Sequence, residues 1–85
     1  PYDITTIGYY KLTNTGGGQI INLPDPTAFT GQEITIWNYD PTDVIGIGSN
    51  QPLGYSGASI GAIPTTSVLT VVSIGGQWVA KAFLP

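Results

Sequence analysis

The sequence lacks cysteine and histidine entirely, and its 85 residues are enough for one small domain, 1–85. Surface scaling for a chain of this length predicts a folded surface of about 4,800 Å² and a thin core. Such a core seldom supplies more than ~3–5 kcal/mol, and disulfides or a structural metal are the usual reinforcements. Because neither cysteine nor histidine is present, oligomerisation is the remaining common reinforcement, and we expect a homo-oligomer.

Charged residues are also scarce. Two lysines, no arginine and five acidic residues make up 8% of the chain, and the net charge is −3. A typical soluble domain has about 25% charged residues, and so few charges protect a free monomer poorly against association. We therefore expect partners to cover much of the surface; solubility through uncharged polar side chains is the alternative. The sequence has no basic stripe for nucleic acid and no apolar run that predicts a membrane span.

Twelve glycines and seven prolines divide the chain into segments that are too short for helices. The longest segment without either residue, 65–74, is rich in β-branched residues and favours a strand. We therefore predict an all-β fold, a small antiparallel sandwich or partly open barrel of about six to seven short strands. Strands are predicted at 4–12, 19–23, 32–38, 44–48, 67–74 and 77–83, with 49–64 either a long loop or a loop containing one short strand near 58–62.

Alternation predicts the faces of two strands. In 32–38, Ile34 and Ile36 face one side, whereas Trp37 faces the other. In 67–74 both faces are largely apolar, so a second sheet or a neighbouring subunit should cover each of them.

Glycine and proline also predict the turns. Gly75-Gly76 supplies the positive φ of a two-residue loop, so 67–74 and 77–83 should form an antiparallel hairpin. Turns are also predicted at 25–27, at 40–42 and at Gly16-Gly17-Gly18.

One catalytic pattern is present, because residues 57–61 match G-x-S-x-G around Ser59. The motif needs a strand-to-helix elbow and a histidine that accepts the serine proton. Lys11 and Lys81 are the only alternative bases, and nothing in the local sequence pairs either with Ser59. Gly16-Gly17-Gly18 and Gly46-Ile47-Gly48 lack the Gly-Lys-[Ser/Thr] ending of a phosphate loop, so we interpret them as turns. We predict no enzymatic activity and no cofactor.

Asn38, Asp40 and Asp43 place three oxygen-bearing side chains within six residues. Backbone carbonyls and waters could complete a Ca²⁺ site around them. The same spacing is typical of an Asx-type turn, which is the interpretation we favour, and no metal is predicted.

Aromatic side chains supply the interface candidates. Trp78 shares a face with Ala80 and Ala82, so we predict that it lies in the core, with Trp37 nearer an interface. Adjacent residues in a strand point to opposite faces, so Tyr9 and Tyr10 cannot both enter one core. The interface candidates are Tyr9, Tyr10, Trp37, Tyr39 and Tyr55.

Four segments in order, "LP" at 23–24, "GQEITIWN" at 31–38, "SVLTVVS" at 67–73 and "GGQWV" at 75–79, resemble a small β-module of tailed bacteriophages. This module recurs in tail-fibre, baseplate-associated and capsid-surface proteins. The resemblance covers about residues 18–82, and residues 50–63 depart from it by being richer in glycine and serine. It implies a homotrimeric, non-enzymatic virion protein that contacts the major capsid protein or another virion protein.

Among virion roles, we expect a capsid decoration (cement) protein that stabilises the shell. Pro1 suits a product that has lost only its initiator methionine, and a product this short has no room for a fibre shaft. A tail-fibre or receptor-binding module is the alternative. A third hypothesis is a carbohydrate-binding β-domain with Trp37, Tyr39 or Tyr55 as its stacking platform.

Overall fold

The computed structural model describes residues 1–14 and 17–84, which form a mostly β structure with one short 3₁₀ turn. The strands are β1 (Tyr2–Asp3), β2 (Gly8–Leu12), β3 (Ile20–Asn22), β4 (Glu33–Asn38), β5 (Ile45–Ile47), β6 (Ala62–Ile63), β7 (Ser67–Ile74) and β8 (Gln77–Leu84), and the 3₁₀ turn is Pro26–Phe29. The first sheet has the order β1-β3-β5-β6, and the second has the order β2-β4-β7-β8. Neither sheet closes into a barrel over these ranges.

Both sheets are mixed, so the prediction of an antiparallel fold is wrong in part. Parallel pairs join β1 to β3, β3 to β5 and β2 to β4, whereas β5–β6, β4–β7 and β7–β8 are antiparallel. The physical reason is that the chain alternates between the sheets from β1 to β5. The pairs β1–β3, β2–β4 and β3–β5 are therefore each joined through the other sheet and not by a hairpin, and such crossovers permit parallel pairing.

Most of the predicted strands are present, but two predictions about where strands and turns lie are wrong. The segment 4–12 is not one strand, because β1 and β2 lie in different sheets and Ile4 is buried between them. Gly46-Ile47-Gly48 is not a turn, because β5 includes Gly46. A Cβ there would lie 3.4 Å from Ile20 Cγ2, so a small residue suits this position.

The segment 49–64 contains both a loop and a short strand. The strand is β6, at Ala62–Ile63, and Leu53 and Ser59 form an isolated antiparallel bridge within the loop. Of the predicted glycine turn, Gly16 lies outside the described residues, and the Gly17 N–H donates to the Asn14 carbonyl at 2.8 Å.

The predicted hairpin is confirmed. Ile74 pairs with Gln77 across Gly75-Gly76, and both glycines have positive φ, at 58° and 79°. This is the backbone geometry that matches the right-handed twist of the two flanking strands.

One hydrophobic core takes side chains from both sheets. Trp78 is 1% exposed, as predicted, and the alternation of β4 and β7 directs Ile34, Ile36, Leu69 and Val71 inward. The buried apolar residues are Ile4, Ile21, Leu23, Ile34, Ile36, Ile45, Ile47, Ile63, Leu69, Val71, Trp78 and Ala80. The total accessible surface is 4516 Å², so the chain is as compact as surface scaling predicts.

The proline-rich turn before β4 is attached to the second sheet. The Trp78 indole N–H donates to the Pro24 carbonyl at 2.8 Å, and the Ser73 hydroxyl donates to the Pro26 carbonyl at 2.6 Å. Asp25 caps the 3₁₀ turn by accepting from the Thr27 N–H, and this hydrogen bond lowers the pKa of Asp25. The prolines therefore end β3 and hold the chain against the core before Gly31 leads it into β4.

Candidate functional site

The candidate site lies on the solvent-facing side of the second sheet. The register of β2, β4 and β7 places Tyr9 beside Thr35, and Lys11 beside Trp37, which is itself beside Val68. Because side chains alternate along a strand, these five residues share the face opposite the core. Tyr9 is 90% exposed and Trp37 is 43% exposed. At β2 and β4 the sheet thus presents two large aromatic side chains and the Lys11 ammonium group to solvent.

Lys11 lies over the aromatic rings. Its Nζ is 5.0 Å from the centroid of the Trp37 ring and 4.6 Å from that of Tyr39. The two ring centroids are 5.6 Å apart, and the rings are tilted by 54°. Cation–π attraction at an exposed site contributes about 0.5–1 kcal/mol per contact. The rings therefore orient the ammonium group on this face while leaving it able to meet an anion.

These side chains form a shallow groove of about 310 Å³. We call it the aromatic groove and define it by its lining residues, which are Tyr9, Tyr10, Lys11, Thr35, Trp37 and Val68. Lys11 is the only charged residue in this lining. The groove therefore suits an apolar group that carries, or lies beside, a negative charge.

A surface ion pair crosses the same face further along the sheet. Lys81 Nζ lies 2.7 Å from Glu33 Oε2, and this contact raises the pKa of Lys81. It connects β8 to β4 above β7. Glu33 precedes Trp37 by four residues, about 13 Å along the strand, so the pair lies to one side of the aromatic groove. Both side chains are about half exposed, and such pairs contribute little to stability.

The residues of the calcium hypothesis form a turn. Asp40 Oδ1 accepts from the backbone N–H groups of Thr42 and Asp43, and Asp40 Oδ2 accepts from the N–H of Asn14. The Asn38 side-chain amide donates to the carbonyls of Asp43, Ile63 and Pro64. The bonds from the Thr42 and Asp43 N–H groups to Asp40 are those of an Asx-turn, and the Asn38 and Asn14 bonds attach this turn to distant parts of the chain. Over 1–14 and 17–84, no cluster of three or more acidic, histidine or cysteine side chains is placed to hold a metal.

Ser59 lies in the loop before β6, where it pairs with Leu53, so the G-x-S-x-G motif does not stand at a strand-to-helix elbow. Lys81 contacts Glu33, and Lys11 lies over Trp37. Both lysines, the alternative bases considered from the sequence, thus have other contacts.

The structure brings three of the five aromatic interface candidates together on the outer face. Tyr9 and Trp37 line the aromatic groove and Tyr39 packs on Trp37, whereas Tyr10 borders the groove but directs its side chain to the core. Tyr55 is apart from them, with its hydroxyl donating to the Lys81 carbonyl at 2.8 Å. As predicted, Tyr9 and Tyr10 point to opposite faces, since Tyr10 packs against the core.

Sequence reasoning missed Lys11 as a member of the site. A lone lysine in a strand is ordinarily a solvent-exposed side chain, and its role here depends on the parallel pairing of β2 with β4. The available signal is that Lys11 and Tyr9 are two residues apart and share a face.

No helix in the described ranges combines the length and apolar character that crossing a bilayer requires. Comparisons with protein-family models, with curated proteins and with solved structures find no match to this chain.

Proposed function

We propose that the chain is a non-enzymatic structural protein of a tailed-bacteriophage virion, a homotrimeric capsid decoration (cement) protein that stabilises the shell. The supporting observation is that large apolar side chains are exposed on more than one side of the fold. Ile20 and Val44 are exposed at the first sheet, and Tyr9, Trp37 and Ile74 are exposed on the second. A decoration protein needs such surfaces, because it contacts copies of itself and the shell.

The energetics are consistent with this role. Burial of apolar area contributes about 25 cal/mol per Å², so a contact of several hundred Å² adds several kcal/mol before the entropy of association is subtracted. Repetition of that contact over a shell multiplies its effect on the particle. The low charge content leaves little electrostatic repulsion to oppose the packing.

The aromatic groove favours a second candidate, a tail-fibre or receptor-binding module. The exposed rings of Tyr9 and Trp37 in this open groove can stack on the apolar face of a sugar ring. The carbohydrate-binding hypothesis then rests on Trp37 and Tyr39, because Tyr55 lies apart from them. This role predicts that the isolated protein adsorbs to host cells and that host glycans change the Trp37 fluorescence.

The experiment for the decoration role uses shells prepared without the protein. We expect the purified chain to have a trimeric native mass by light scattering, to bind the shells stoichiometrically and to restore their resistance to heat. A Trp37→Ser variant should bind more weakly, and a Tyr55→Ser variant is the matched control outside the groove. A stable monomer at micromolar concentration, or a shell whose stability is unchanged by the protein, would contradict the proposal.

A further inference from the structure

The backbone of β2 has one side that no described strand covers. β2 is the terminal strand of the second sheet, and the Tyr39 N–H donates to the Leu12 carbonyl at 3.1 Å. Peptide groups in a strand alternate in direction, so Gly8, Tyr10 and Leu12 face β4. The N–H and C=O groups of Tyr9 and Lys11 therefore point away from the sheet.

The next position on this side is already occupied. The Tyr2 hydroxyl donates to the Thr13 carbonyl at 2.6 Å. Thr13 follows Lys11 by two residues, so its backbone groups point to the same side as those of Tyr9 and Lys11. The backbone groups of Tyr9 and Lys11 make no hydrogen bond to another described residue. The uncovered edge is thus short and has a defined end.

The opposite edge of the same sheet is protected. Leu53 pairs with β8 through Leu53 N–H to the Trp78 carbonyl and Ala80 N–H to the Leu53 carbonyl, both at 2.8 Å, and Tyr55 reaches the Lys81 carbonyl. Folded proteins ordinarily protect edge strands with proline, a bulge, a covering loop or a charged side chain, most often lysine. β2 has neither proline nor bulge, and Lys11 is its one charged residue. Unlike the edge at β8, β2 therefore leaves its outward peptide groups open to an extended backbone, and Lys11 opposes a strand that brings no negative charge.

The side chains beside this edge indicate the chemistry of the occupant. An added strand would place alternate side chains next to Tyr9 and Lys11, at the aromatic groove, and the Lys11 ammonium favours a carboxylate among them. A second copy offers no suitable strand. β2 itself carries lysine and no acidic residue, and β8 is covered by Leu53. The acidic edge strand of the described chain, β1, has only two residues, and its Asp3 already accepts a hydrogen bond from the Asn22 amide.

We propose that β2 binds an extended segment of another protein as a fifth strand of the second sheet, with an aspartate or glutamate of that segment paired with Lys11. This inference rests on the proposed function, in which that protein is the shell subunit. Main-chain hydrogen bonds supply the binding, and Lys11 with the aromatic groove supplies the preference for sequence.

The test uses a capped seven-residue probe peptide, Thr-Val-Thr-Glu-Thr-Val-Thr, at millimolar concentration. We expect it to slow amide hydrogen exchange at Tyr9 and Lys11 by about tenfold and to change the Trp37 fluorescence. The same peptide with lysine in place of glutamate should bind about threefold more weakly, and a Lys11→Glu variant should reverse this preference. Tyr9→Pro removes one outward N–H without touching the β4 ladder and should abolish binding. Tyr9→Ala keeps that N–H and loses only the ring, so it should bind more weakly than the wild type but clearly better than Tyr9→Pro.

Three results would overturn the inference: no peptide slows exchange at Tyr9 and Lys11, the two peptides bind equally, or Tyr9→Pro lowers the native mass. The last would make a second copy the occupant. If Tyr9→Pro loses the peptide but still binds shells, the shell subunit does not bind by adding a strand to β2, and the decoration role stands. If the wild-type protein binds the peptide but not shells, the decoration role fails instead.

Discussion

At Asp40 a buried carboxylate is held in its charged form by the surrounding backbone. The N–H groups of Thr42 and Asp43 donate to Oδ1, and the N–H of Asn14 donates to Oδ2. These hydrogen bonds, that from Thr42 first, lower the pKa of Asp40 below its ordinary value of 3.8. Because the folded pKa lies below the unfolded one, the stabilisation is complete above the unfolded pKa and is lost as the pH falls through the folded pKa.

We therefore expect Asp40→Asn to lower the melting temperature at neutral pH by several degrees, with a smaller loss at acidic pH. The physical reason is that protonated Asp40 resembles the asparagine variant, so the two proteins converge once the pH falls below the folded pKa of Asp40, which lies below 3.8. Thermal unfolding followed by circular dichroism between neutral and acidic pH measures this difference. Asp43→Asn is the matched control, because within 1–14 and 17–84 the Asp43 carboxylate accepts a hydrogen bond only from the Thr42 hydroxyl. An Asp40→Asn protein with the wild-type pH profile would contradict the expectation.

The site at this scale could be predicted only in part. Alternation within β4 was sufficient to place Trp37 on the outer face, and the Tyr9-Tyr10 pair required one exposed tyrosine. The contact between Lys11 and Trp37 could not be predicted, because it is made across a parallel pair between strands that are distant in the sequence. The hydrogen bond from the Asn14 N–H to Asp40 could not be predicted for a similar reason, since Asn14 comes from another part of the chain.

At the scale of elements, the β7–β8 hairpin depends on the backbone of Gly75. Its φ is 58°, and a Cβ added there would meet no atom within 4 Å. A substitution at this position therefore tests backbone conformation without a steric clash.

We expect Gly75→Val to lower the free energy of unfolding by about 1–2 kcal/mol, because a β-branched residue is strained at positive φ. Gly75→Asn should cost less, since asparagine adopts this conformation more readily. Urea denaturation of the two variants gives the comparison. Equal losses would mean that the turn conformation does not govern the stability of this hairpin.

Strand pairing explains which elements could be predicted. Strands β4, β7 and β8 carry strong local patterns and a glycine turn, so their bounds and their hairpin follow from neighbouring residues. The parallel pairs β1–β3, β3–β5 and β2–β4 have no local signal, because alternation identifies the face of a strand and not its neighbour. The break between β1 and β2 was missed because 4–12 has continuous strand propensity, and burial of Ile4 outweighs it.

For the whole molecule, one core shared by two sheets predicts one cooperative transition. Ile21 comes from β3 of the first sheet and is fully buried, and Trp78 comes from β8 of the second. A loss of packing at Ile21 in the first sheet should therefore also destabilise the packing around Trp78 in the second sheet.

We expect Ile21→Val to lower the free energy of unfolding by about 0.5–1.5 kcal/mol and to shift the tryptophan fluorescence and circular dichroism transitions together. Ile20→Val is the matched control, since Ile20 is 41% exposed and its loss should stay within about 0.5 kcal/mol. If the two probes reported separate midpoints in Ile21→Val, the sheets would be unfolding independently.

The parallel pairing of β2 with β4 has a consequence for synthesis on the ribosome. Residues 8–12 emerge early, but their partner follows only at 33–38, and β4 in turn pairs with β7 at 67–74. β2 therefore leaves the exit tunnel before its partner strand and stays unpaired until residues 33–38, and then 67–74, have followed. A nascent chain stalled before Ile74 should remain sensitive to protease at residues 8–12.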